Sequence, residues 1–179
     1  METSTHKIIN TLSYLIWVQN NRLEGYQHAN ESLNVPSMLK PLIPEASKLS
    51  NSCRSQLLKS ALLFGGKSME DTVISWASSH AWIQVSRALR HQNLMEIYSV
   101  FENGEHATQR AYEYALKINA IPGYLHEMLN VQKQKLAEHY EFIRSAAARE
   151  AISGENTINP YNRSIESKQG LFSVSRTRL

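Results

Sequence analysis

The stretch from Val100 to Leu116 reads V-F-E-N-G-E-H-A-T-Q-R-A-Y-E-Y-A-L, and its periodicity decides the fold of this chain. Leu94, Tyr98, Phe101, Thr108, Tyr112, Ala115 and Leu116 recur at helical spacing and predict one apolar stripe on a long helix. Glu105 falls in the middle of that stripe. A carboxylate on the inner face of a helix needs a cationic partner, a proton or a metal ion. The sequence around it therefore has to be read for what the other segments bring inward.

Working outward, Asn93 is placed to cap this helix, with Glu96 three residues on as its capping-box partner. Ile121-Pro122-Gly123 predicts a tight turn, after which a helix from about 124 to 149 carries Leu125, Leu129, Gln132, Leu136, His139 and Ile143 on one face. Upstream, a shorter helix from about 69 to 89 carries Trp76 and Trp82. Before it, Gly65-Gly66 stops a helix whose inner face is Leu42, Ala46, Leu49, Cys53, Leu57 and Ser60. The first helix spans about 5 to 33, with Ile8, Leu12, Leu15, Gln19, Leu23, Tyr26 and Leu33 on one side, and it ends ahead of Pro36. The apolar run from Ile8 to Val18 is broken by Asn10, Thr11 and Ser13, so it reads as an amphipathic helix and not as a signal peptide.

Four long helices plus a short one predict an all-α, up-down four-helix bundle with an extra helix on the crossover between the second and third long helices. The bundle is expected to occupy residues 1–150. Residues 151–179, rich in Asn, Ser and Arg and without a period, predict a polar flexible tail, with Leu171-Phe172 as a docking contact. A hydrophobic content of 42%, 7 glycines and 5 prolines in 179 residues fit a helical core. The net charge of +3 is too small and scattered to indicate nucleic acid. A single cysteine, Cys53, makes no internal disulfide and fits a reducing cytoplasm. No run reaches the roughly 20 apolar residues of a membrane span.

Three segments resemble an uncharacterised bacterial ferritin-like four-helix-bundle family, a domain-of-unknown-function group. Asn21-Arg22-Leu23-Glu24-Gly25-Tyr26 is similar to the family's Asp-Arg-x-x-Gly-Tyr. Phe101-Glu102-Asn103-Gly104-Glu105, followed by Ala111-Tyr112 and Ala115-Leu116, resembles its Cys-Glu-x-Gly-Glu-Asp signature and the Ala-Tyr and Ala-Leu pairs beyond it. Gln132 and His139 stand where the family carries a Gln and a His. The chain departs from the pattern at Phe101 for Cys, His106 for Asp and Gln56 for Glu. The resemblance implies a ferritin-like fold over roughly 7–149 and carries no activity with it.

Di-iron proteins of ferritin-like fold take a Glu from each of two helices and a Glu-x-x-His from each of the other two. This chain contains no Glu-x-x-His; Glu138-His139 are adjacent, and His28-x-x-Glu31 is reversed. The residues read as inward are Gln19, Tyr26, Gln56, Glu105, Gln132 and His139, together with Cys53 and Ser60. Glu105, His139 and Cys53 are the candidate metal ligands, for iron or zinc, but one carboxylate and one imidazole are a poor set for two ions. The expected arrangement is a buried hydrogen-bonded network, with Arg22 and Arg110 as candidate partners for the carboxylate. No catalytic residue and no cofactor is expected. Gly104 costs about 1 kcal/mol relative to Ala inside a helix, which predicts close helix–helix approach beside Glu105. The expected protein is a non-enzymatic, cytoplasmic homodimer acting through its surface, in an interaction or stress response role. A metal-binding or redox-active protein centred on Glu105 and His139 is the alternative.

Overall fold

The structure is a computed structural model that describes residues 3–66 and 78–157. It is all-helical: α1 (Ser4–Glu31), α2 (Leu42–Leu63), α3 (Ser78–His91), α4 (Leu94–Leu116) and α5 (Gly123–Thr157). Helices α1, α2, α5 and α4 pack pairwise into a closed ring, and α3 lies against α1 and α4. The ring is a helical bundle. Trp76 and the segment around Leu171-Phe172 lie outside the described residues, as does the side chain of Trp82.

Local chemistry explains the element ends. Thr3 caps α1, its hydroxyl accepting from the His6 amide at 3.3 Å. Helix α1 stops at Glu31, so Leu33, expected on the inner face, lies beyond the last turn and is 94% exposed. Pro44 sits in the first turn of α2, where no intrahelical N–H is required. The end of α2 turns at Gly65, whose φ of +79° is open to glycine at no steric cost. The Gly66 amide then bonds back to the Ala61 carbonyl at 2.9 Å. Asn93 caps α4 by accepting from the Glu96 amide at 3.2 Å. Glu96 does not complete a reciprocal box, because its carboxylate lies 3.4 Å from His91 Nδ1. Replacing the cap by Asn93→Ala is expected to cost about 1 kcal/mol, read as a lower urea midpoint. Helix α5 runs past Gly154 to Thr157, beyond the end expected near Arg149. The alanines at 146–148 favour continuation, and Tyr98 on α4 donates to Glu150 at 3.2 Å.

The interior is built in two apolar blocks. One gathers Leu12, Leu15, Leu57, Tyr112, Leu129 and Leu136; the other gathers Ala29, Leu39, Ile43, Ile97, Phe101 and Ile143. Burying each large aliphatic side chain contributes roughly 1.5–3 kcal/mol before entropy is counted. Between the blocks, Arg22, Ser50, Glu105 and His139 are buried on α1, α2, α4 and α5. The bundle thus carries a polar layer across its waist.

Candidate functional site

The polar layer is centred on an arginine. Arg22 follows Gln19 by three residues and precedes Tyr26 by four, so all three side chains fall on the buried stripe of α1. Its Nε–H donates to Glu105 Oε1 at 2.9 Å. Nη1 donates to the Ala46 carbonyl at 2.9 Å and to Ser50 Oγ at 2.7 Å. Nη2 stands 2.8 Å from Glu105 Oε1 and 3.1 Å from His139 Nδ1. A guanidinium is donor-only, so His139 Nδ1 accepts this bond. The opposite ring nitrogen, Nε2, then donates to the Leu42 carbonyl at 3.1 Å, which defines the neutral Nε2–H tautomer. One side chain therefore ties α1 to α2, α4 and α5.

Glu105 is 1% exposed and takes its donors on one oxygen. Besides Arg22, Tyr26 donates to Oε1 at 2.5 Å. Among the described residues, Oε2 has no hydrogen-bond partner. Burial, the largest single influence, would raise the Glu105 carboxyl; the Arg22 charge, the Arg22 hydrogen bond and the nearby His139 together outweigh it and hold the group down at about 2. Burial would likewise lower Arg22, and Glu105 reverses the direction, so Arg22 is raised. The Tyr26 phenol is raised, first by burial and then by the neighbouring carboxylate. His139 Nδ1 is 3.7 Å from Glu105 Oε1, too long for a hydrogen bond, so the imidazole is held by Arg22 and Leu42. The layer is an ion pair in which every Arg22 nitrogen has a partner.

A second, neutral set lies farther along the bundle. Gln19 Nε2 donates to the Tyr112 hydroxyl at 3.0 Å, and Tyr112 donates to Gln132 Oε1 at 2.7 Å. Gln132 Nε2 donates to Gln56 Oε1 at 3.0 Å and lies 3.4 Å from the Cys53 carbonyl. Gln56 corrects the inward expectation: it is exposed, one position off the Leu57 stripe, and only its amide reaches the chain of bonds. Tyr112 is raised by burial.

The candidate metal ligands are not brought together as a set. Among the described residues no three His, Cys, Asp or Glu side chains gather closely enough to hold an ion. Glu105 and His139 are near each other, but the Arg22 guanidinium bonds to both. Burial raises the Cys53 thiol, and a thiol kept protonated is a poor nucleophile and a poor ligand. The donor set does not fit the di-iron site that ferritin-like proteins carry. His28 and Glu31 lie 3.5 Å apart on the exposed last turn of α1, and Arg110 is on the surface. Gly104 also departs from expectation: a Cβ built there meets nothing within 4 Å, so no helix approaches it closely.

Sequence reasoning ranks Arg22 as one of two candidate partners and misses it as the centre. The available signal is its position between Gln19 and Tyr26 on one stripe. Ser50, between Ala46 and Cys53 on the face of α2, is missed for the same reason. No helix of the described residues is long and apolar enough to cross a membrane. Compared by sequence, the chain matches no protein-family model and no curated protein.

Proposed function

We propose that this chain is a non-enzymatic helical bundle of ferritin-like type whose polar waist is a structural ion pair, and that it works through its surface. The observation that supports this reading is Arg22. It supplies the positive charge between Glu105 and His139 that a metal ion supplies in a ferritin-like di-iron centre. With every Arg22 nitrogen bonded inside the bundle, the pair is placed to fix the register of α1 against α2, α4 and α5. The packing of α3 against α1 and α4, in a chain that passes from α2 through α3 to α4, supports its assignment as the crossover helix of such a fold.

The role is an interaction or stress-associated one, in the bacterial cytoplasm and as a homodimer. A surface feature supports the interaction part. Tyr124, Val131 and Phe142 lie about two and three turns apart on α5, and so fall on one line of the helix. They are 57%, 48% and 60% exposed, and the exposed Lys135 and Glu138 stand between Val131 and Phe142 on the same line, so that line offers both apolar and charged contacts. The competing proposal is a metal-binding or redox-active protein using Glu105 and His139 with iron or zinc.

Elemental analysis of protein purified without chelator separates the two. The structural reading expects substoichiometric iron, zinc and manganese, and a thermal midpoint unchanged by chelator. Near-stoichiometric metal that disappears in Glu105→Ala would overturn it in favour of the metal site.

A further inference from the structure

We draw no further inference here: the strongest candidate, the apolar groove of about 430 Å³ between α1, α3 and α4 that Trp17, Val85, Val100 and Phe101 line, carries none, because nothing among the described residues shows what covers it.

Discussion

Arg22→Met lowers the stability of this protein by about 3–5 kcal/mol at pH 7, the largest effect expected of any polar substitution in the bundle. Methionine fills much of the volume of the arginine stem, so the loss is not mainly a cavity. It comes from what is left behind. Glu105, 1% exposed, keeps its charge with only the Tyr26 hydroxyl to stabilise it. Ser50 Oγ, the Ala46 carbonyl and His139 Nδ1 lose the donors that now satisfy them. Each buried acceptor left unmade costs about 1–3 kcal/mol, less what local rearrangement recovers. Urea denaturation of the full chain measures the effect directly. A loss below about 1 kcal/mol would place Arg22 among ordinary surface-like arginines and dissolve the layer as a structural device.

The second large effect is on pH dependence. Glu105 has an ordinary value of 4.5 and is held at about 2 in the fold. A carboxyl depressed by folding contributes stability that is fully present above its unfolded value and is lost as pH falls through its folded value. The window is therefore pH 4.5 down to about 2. Every tenfold loss of proton affinity on folding is worth about 1.4 kcal/mol, so the stability lost across the window is on the order of 3 kcal/mol. Unfolding midpoints measured at intervals from pH 6 to pH 2 should fall across that window. Other carboxylates add to the slope, so the comparison is with Arg22→Met. There the arginine charge is gone and burial dominates, so the folded value of Glu105 moves above its ordinary one. The native state then holds the extra proton, and the sign reverses: this carboxyl makes the variant gain stability as pH falls. A variant with the same downward slope as the parent protein would show that Glu105 is not held by Arg22.

Much of this arrangement is legible in the sequence, and the rest is hidden for distinct physical reasons. Helical periodicity marks Gln19 and Tyr26, seven residues apart, as inward on one helix, and Gln132 and His139, also seven apart, on another. It marks Glu105 as a carboxylate inside an apolar stripe. Periodicity does not say which polar residue on one helix meets which on the next, because that depends on register between helices. Arg22 illustrates the gap. Its place on the stripe is visible, but the five N–H groups of a buried guanidinium can be satisfied only by atoms from other segments, here Ala46, Ser50, Glu105 and His139. Leu33 and Leu94 fail for a different reason. A stripe extrapolated to a helix end runs off the packed region, and Leu94, at the first position of α4, is 45% exposed. Gly104 reads in sequence as a point of close approach, the usual reason for a helical glycine, whereas here it borders open space.

The central claim is that Arg22 and Glu105 exist for each other. A double-mutant cycle tests it most directly. The chain is prepared as Arg22→Met, as Glu105→Leu and as the double variant, and urea unfolding is measured for each at pH 7. Each single variant strands one buried charge, while the double variant strands none. The expected result is a double variant more stable than either single variant, with a coupling of at least about 2 kcal/mol. Additive losses, with the double variant the least stable of the three, would contradict the account.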